Sequence, residues 1–317
     1  GTTRILSNAN TKDISKFLDL YPKRFYLEYM DLIDDTSIYN LFTKIIPDYF
    51  INFAAQSFVG ESWNQPKLTF KTNSLAIISI LEVIRNHNPK CRFYSAGSSE
   101  EFGDVITTPQ KLDHPLRPRS PYGASKCAAK HIVKVYRDSY NLFAIHCVLF
   151  NHEGIRRGKK FITRKITSNL ARIKYEIENK KVPTKFEVGN IYARRDWSDS
   201  EDFVEAIWLM LNQSEPTEYM LSSNIDYSVK DFIDMSCKYL KLDVTWNIDE
   251  KNPLNTKLLL NNIPIITISK KFFRPAEINI LKGDSTQTYN KLQWKPKTNL
   301  EQLIKKMIDY DYKLISE

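Results

Sequence analysis

The chain has 317 residues, 42% of them hydrophobic, and a formal net charge of +9. That length allows one large domain or two modest ones, and the apolar content supports a sizeable core and excludes wholesale disorder. No apolar run reaches the ~20 residues of a membrane span, no signal peptide is expected, and the lysines are spread along the chain, not packed into the stripe that nucleic-acid binding needs.

In chain order, Arg24–Leu32 reads as a strand and Asp35–Ile46 as a helix with Ile38, Leu41, Phe42 and Ile45 inward. Tyr49–Ala55 reads as a buried strand. Lys67–His87 is a long helix carrying Leu75, Ile78, Leu81 and Ile84, and Cys91–Ala96 is a further strand leading into the Ser98–Gly103 loop. Tyr122–Tyr140 follows as an amphipathic helix with Ala128, Ile132, Val133 and Val135 toward the core, then Leu142–Phe150 as a strand. Alternating strands and helices predict an α/β fold, a Rossmann-type doubly wound parallel sheet. Ligands in such sheets bind beyond the carboxyl ends of the strands. Ser57, Ser98, Glu100 and Asn151 all fall just after predicted strands, so they are expected in one crevice.

Past Asn151 the alternation blurs. Helices are expected at Phe161–Tyr175, Asp199–Asn212, Val229–Leu240 and Leu300–Tyr312, with loops and short strands across Lys251–Asn279. The expected division is one α/β domain at 1–155, with 200–225 returning to it, and a smaller α/β domain at 156–317. Cys91, Cys127, Cys147 and Cys237 show no Cys-x-x-Cys pair and read as core thiols of a reducing, cytoplasmic protein. No metal site is expected.

The chemistry concentrates at Ser120-Pro121-Tyr122-Gly123-Ala124-Ser125-Lys126. Residues four apart share a helix face. A lysine ammonium there stabilises a tyrosine phenolate and lowers its pKa, and such a phenolate is a general base for a sugar hydroxyl. The competing reading is an exposed helix turn with an ordinary lysine. Pro121, suited to a first helical turn, favours the helix. Ser98 and Glu100 upstream add a hydroxyl donor and a second acid/base group.

Further segments extend the pattern: Leu149-Phe150-Asn151-His152-Glu153, Arg156-Arg157-Gly158, Thr163-Arg164-Lys165-Ile166, Arg195-Asp196-Trp197, Arg274-Pro275 with Glu277, Gly283-Asp284 and Trp294-Lys295-Pro296. On these the chain resembles the GDP-mannose 4,6-dehydratases, extended short-chain dehydrogenase/reductases, collinearly from about Arg4 to Asp309. The resemblance implies a lyase that converts a GDP-hexose, GDP-mannose first, to its 4-keto-6-deoxy product by internal hydride transfer. Tyr122 would be the base at the C4 hydroxyl. Lys126 would hold the nicotinamide ribose, and Ser98, in place of the family's usual threonine, would hydrogen-bond the reacting oxygen. Glu100 would remove the C5 proton, which is acidic only beside a C4 carbonyl. Glu101 competes with it by chemistry and is expected to face solvent.

For the cofactor, NADP with NAD as the alternative, the resemblance implies Asp31, Leu32, Ala54, Ala55, Gln56, Ser57, Tyr122, Lys126, His152 and Arg157. For the GDP-sugar it implies Asn151, Lys165, Arg195, Arg274 and Glu277. A buried structural role is the other reading of His152. Homodimers or homotetramers are implied as well.

The chain departs from the family in four places. No Gly-x-x-Gly-x-x-Gly loop follows a first strand, so the sequence is expected to begin downstream of a natural start. Gly154-Ile155 replaces Ser-Pro, Ser198-Asp199-Ser200 replaces Gly-His-Ala, and Leu68 stands where a tyrosine is usual. A changed pocket leaves open a GDP-manno-heptose, another nucleotide-sugar dehydratase or epimerase, and a non-catalytic nucleotide-sugar-binding fragment.

Overall fold

Short apolar strands alternate with amphipathic helices through the first half, because each strand buries its side chains only when a helix covers it. The computed structural model describes residues 1–3, 17, 19–273 and 276–317. Two compact units interleave along the chain: residues 1–101, 120–147 and 213–218 make one, and 102–119, 148–212 and 219–317 the other. The chain thus passes between the units five times, whereas one cut at 155 with a return over 200–225 was expected. Of the expected return segment 200–225 only 213–218 lies in the first unit.

In the first unit, β1 (Thr2–Thr3) pairs in parallel with β2 (Glu28–Tyr29). Helix α1 (Asp35–Ile45) follows, capped by the Asp34 side chain, which accepts from Thr36 N. Strand β3 (Tyr49–Asn52) leads to α2 (Pro66–Phe70), one π turn (Lys71–Leu75) and α3 (Ala76–His87). Strand β4 (Arg92–Ala96), a 3₁₀ turn (Ser99–Glu101), α4 (Pro121–Tyr140) and β5 (Ala144–Leu149) complete the series. Strands β3, β4 and β5 lie side by side, all parallel. Their core joins Leu32, Ile38, Phe42, Ile77, Ile80, Leu81, Phe93 and Val133.

Several expectations need correction. The strand at 24–32 shortens to Glu28–Tyr29. Strand β3 is not buried: Tyr49 and Ile51 are exposed. Its only ladder partner among the described residues is β4, so it is an edge. The long helix at 67–87 is interrupted by the π turn, which inserts one residue and rotates the apolar stripe. Leu75 is therefore exposed, Ile78 half-buried, and Ile77 and Ile80 fill the core. Ile45 and Val135 also face outward. For Ile45 the reason is local, since the helix ends there in a left-handed Ile46.

In the second unit, β6 (Asn151–Glu153) precedes α5 (Ile162–Glu178), β7 (Phe186–Val188), β8 (Arg194–Arg195) and β9 (Trp197–Asp199). Helix α6 (Ser200–Leu211), β10 (Tyr219–Leu221), β11 (Tyr227–Ser228) and α7 (Val229–Tyr239) follow. Strands β12 (Val244–Asn247), β13 (Lys257–Leu260), β14 (Ile263–Ile268) and β15 (Ile280–Leu281) then lead to α8 (Thr286–Leu292) and α9 (Leu300–Ser316). The order β12-β13-β14-β7 makes one sheet, β11-β8-β15 another, and β6-β9 a parallel pair. The main core gathers Leu170, Ile173, Val188, Phe232, Ile266, Leu303 and Met307. All four cysteines are free, with Cys91, Cys147 and Cys237 buried and Cys127 half-buried. Among the described residues no helix is long and apolar enough to cross a membrane.

Candidate active site

The Tyr122–Lys126 pair forms because the sequence caps its helix sharply. Ser120, in extended conformation, accepts from Gly123 N at 3.0 Å, and Pro121 occupies the first turn. Tyr122 and Lys126 are then one turn apart and both buried, with Lys126 Nζ 5.8 Å from the Tyr122 ring centroid. The ammonium donates to Ala96 O, the last residue of β4, at 2.7 Å. Burial pulls the Lys126 pKa down to about 8, and the nearby Glu101 carboxylate opposes that fall.

The Ser98–Glu100 turn packs against the same helix. Ser98 Oγ accepts from Glu100 N at 3.3 Å, and Glu100 is buried. Glu101 is fully buried, not solvent-facing as expected. Its Oε1 accepts from Ser98 N at 2.7 Å and lies 3.0 Å from His146 Nε2. The 3₁₀ geometry turns its side chain under the loop.

Sequence reasoning missed this partner and one other. His146 sits mid-strand in β5, where every residue is buried. A buried imidazole needs a partner, so the pattern Ala-Ile-His-Cys-Val-Leu carried a signal. Asn73, in the π turn, was the other: its Nδ2 donates to Gln56 O at 3.1 Å and to Ser125 Oγ at 3.1 Å, while its Oδ1 accepts from Gln56 N at 2.9 Å. Ser125 Oγ in turn donates to Tyr122 O at 2.7 Å. An asparagine inside a helical pattern is a poor helix former and hints at such a task.

The other first-unit candidates follow strand ends. Asp31 stands after β2, half-buried, with Oδ1 accepting from Ile33 N at 3.1 Å. Leu32 is buried in the core. After β3, Ala54 and Ser57 are exposed and Ala55 and Gln56 half-buried, with Ala54 N donating to Asn52 Oδ1 at 3.1 Å. A carboxylate, a backbone ledge with small side chains and a buried ammonium after successive strands suit a ribose and a phosphate. That donor set fits a dinucleotide.

In the second unit, Asn151 and His152 lie on β6, half-buried. His152 Nδ1 is 2.9 Å from Phe150 O and its ring packs on Phe203. Arg157 lies over the Phe161 ring at 3.6 Å, and its Nε is 3.0 Å from Glu153 Oε2 without hydrogen-bond geometry. Lys165 Nζ sits 3.3 Å from the Phe272 ring centroid, and burial lowers its pKa. Arg195, buried on β8, reaches Glu277 Oε1 at 3.4 Å. Arg274 lies outside the described residues. Two sequence departures adjoin: a Cβ on Gly154 would lie 2.9 Å from Ser200 Oγ.

Residues 1–307 match the family model described as GDP-mannose 4,6 dehydratase. The chain is 38% identical to GDP-mannose 4,6 dehydratase 1 of Arabidopsis thaliana over 322 residues, covering 99% of this chain and 82% of the relative. It is 34% identical to the human GDP-mannose 4,6 dehydratase over 292 residues, 91% of this chain and 77% of that one. Among solved structures, RMD from Pseudomonas aeruginosa complexed with NADPH superposes with a TM-score of 0.76 at 20% identity, covering 95% and 96% of the two chains. The dTDP-glucose 4,6-dehydratase of Bacillus anthracis in complex with NAD gives 0.77 at 18%, covering 98% and 87%. These two likenesses establish the Rossmann-type α/β fold. The chain belongs to the GDP-mannose 4,6-dehydratase family.

Proposed function

We propose that this family member converts GDP-mannose to its 4-keto-6-deoxy product, with Tyr122, Lys126, Ser98 and Glu100 doing the proton work. The observation that carries the reading is the buried Lys126 ammonium beside Tyr122, with the Ser98–Glu100 turn packed on the same helix. A nicotinamide cofactor, held by Asp31, Leu32, Ala54–Ser57, Tyr122 and Lys126 with His152 and Arg157, would accept a hydride from the sugar and return it.

The roles of the side chains follow from their chemistry. Lys126 favours the phenolate of Tyr122, which takes the C4 hydroxyl proton. Ser98 donates to the oxygen that becomes the C4 carbonyl. Only then is the C5 proton acidic enough for Glu100 to remove, and water leaves from C6. Asn151, Lys165, Arg195, Arg274 and Glu277 would bind the GDP-sugar, the arginines pairing with diphosphate oxygens.

Glu100→Gln tests the assignment. Dehydration should stop while GDP-mannose binding, followed by calorimetry, persists; normal product formation by the variant would refute the C5 base. NADP over NAD and homodimeric or homotetrameric assembly are finer parts of the reading and rest on family resemblance, while a cytoplasmic location rests on the free cysteines. Titration with both reduced cofactors and a sedimentation measurement decide the cofactor and the assembly. Gly154 and Ser200, two departures from the family pattern, lie so near that a Cβ on Gly154 would come 2.9 Å from Ser200 Oγ, and a change concentrated there favours one second reading, a GDP-manno-heptose substrate. Comparing kcat/KM for the two sugars separates these.

A further inference from the structure

Beneath the Ser98–Glu100 turn lies a buried acid–base pair that the reaction itself does not use. Glu101 is fully enclosed, with side-chain exposure of 0%, and His146 has 1%. A carboxylate so placed is strongly unfavourable unless it holds something in return. Its Oε1 accepts from Ser98 N at 2.7 Å and faces His146 Nε2 at 3.0 Å, and its own N–H donates to Ser98 O at 3.0 Å. The far side of the imidazole is also held, since Nδ1 is 3.2 Å from Ser95 Oγ. With Nε2–H directed at the carboxylate, Nδ1 accepts from that hydroxyl.

Gly97 explains why the pair controls the loop. A Cβ there would lie 2.5 Å from His146 Nε2, 2.6 Å from Cys147 O and 2.8 Å from Glu101 Oε1. The backbone entering the turn therefore rests directly on the two side chains, and Gly97 N is tied to Cys147 O at 2.8 Å. Any movement of the carboxylate moves the Gly97–Ser98 peptide, and with it Ser98 Oγ and Glu100 N.

We propose that Glu101, backed by His146, is a positioning pair that fixes the Ser98–Glu100 turn for catalysis without touching the substrate. This rests on the dehydratase reading. Glu101 also supports the charge of Lys126, the group whose pKa it holds up against burial. The ionisable groups facing Glu101 are Lys126 and Cys127 on α4 and His146 and Cys147 on β5.

Four variants of the full chain test it. Glu101→Leu removes the acceptor of Ser98 N and should raise amide hydrogen exchange in the 97–101 segment while leaving the rest of the chain protected. Glu101→Gln keeps the shape and removes the charge. It should lower kcat by roughly 10- to 100-fold at near-constant KM, the size of effect a misplaced group produces. The alkaline limb of its kcat profile should also move to lower pH, because Lys126 loses its proton sooner. His146→Gln, which retains a donor toward Oε1, should restore most of kcat relative to His146→Leu.

Wild-type kcat and an unmoved pH profile in Glu101→Gln would overturn the inference. So would a loss of activity that only tracks a smaller folded fraction in urea. Should Glu101→Gln fail to fold, equal kcat in His146→Gln and His146→Leu overturns it instead. A wild-type chain that turns over no GDP-sugar fails the dehydratase reading first, whereas an active wild type with indifferent variants fails only the positioning role.

Discussion

Replacing Lys126 with methionine should make the protein more stable at neutral pH and nearly inactive. The lysine is buried, with Nζ donating to Ala96 O at 2.7 Å. Burial draws its pKa from 10.5 to about 8, after the opposing pull of Glu101. Carrying that charge in the folded state therefore costs ~3 kcal/mol at neutral pH. Methionine is of similar length and removes the charge, but it leaves the Ala96 carbonyl without its donor, a loss of ~1 kcal/mol. The net gain is about 2 kcal/mol. Its pH dependence is diagnostic. The folded pKa lies below the unfolded one, so between about 8 and 10.5 the unfolded chain binds more protons and wild-type stability rises with pH. The advantage of Lys126→Met should be full below pH 8 and fade toward 10.5. Urea unfolding at both ends of that range measures it, and turnover should fall by roughly 100-fold or more with the phenolate unsupported. A variant less stable than wild type at neutral pH, or one whose advantage is independent of pH, would refute the reasoning.

Three further outcomes are expected. Arg164 and Asp311 form a buried pair, Nη2 to Oδ1 at 2.6 Å, that joins α5 to α9, and Thr167 Oγ1 also donates to Asp311 Oδ2 at 2.8 Å. Asp311→Ala should cost about 3–5 kcal/mol in urea unfolding, while Arg164→Met with Asp311→Leu returns close to wild type. Gly103 has φ +57° and a Cβ there would lie 1.9 Å from Arg117 O. Gly103→Ala should therefore lose ~3 kcal/mol or more, read as a lowered Tm. Burial lifts the Asp196 carboxyl from 3.8 to about 7, against hydrogen bonds from Ser223. That raised pKa gives stability present below 3.8 and lost as pH rises through 7. Asp196→Asn should gain Tm relative to wild type across that interval, and a constant difference would contradict it.

Much of the candidate site was legible from short-range chemistry. Ser120, Pro121 and the four-residue spacing specify a capped helix with Tyr122 and Lys126 on one face, and local hydrogen bonding alone makes that so. Strand–helix alternation likewise announces the parallel β3-β4-β5 arrangement. What escaped depended on contacts distant in sequence. The π turn at Lys71–Leu75 carries Asn73, which donates to Ser125 Oγ, 52 residues away. That one inserted residue turned Leu75 outward. Glu100 and Glu101 are adjacent carboxylates of equal intrinsic chemistry, and nothing local ranks them. The imidazole of His146, 45 residues on, drew Glu101 inward. Periodicity reports which face a residue takes on its own element. Only the packed neighbours decide whether that face meets apolar groups, a partner for a charge, or water.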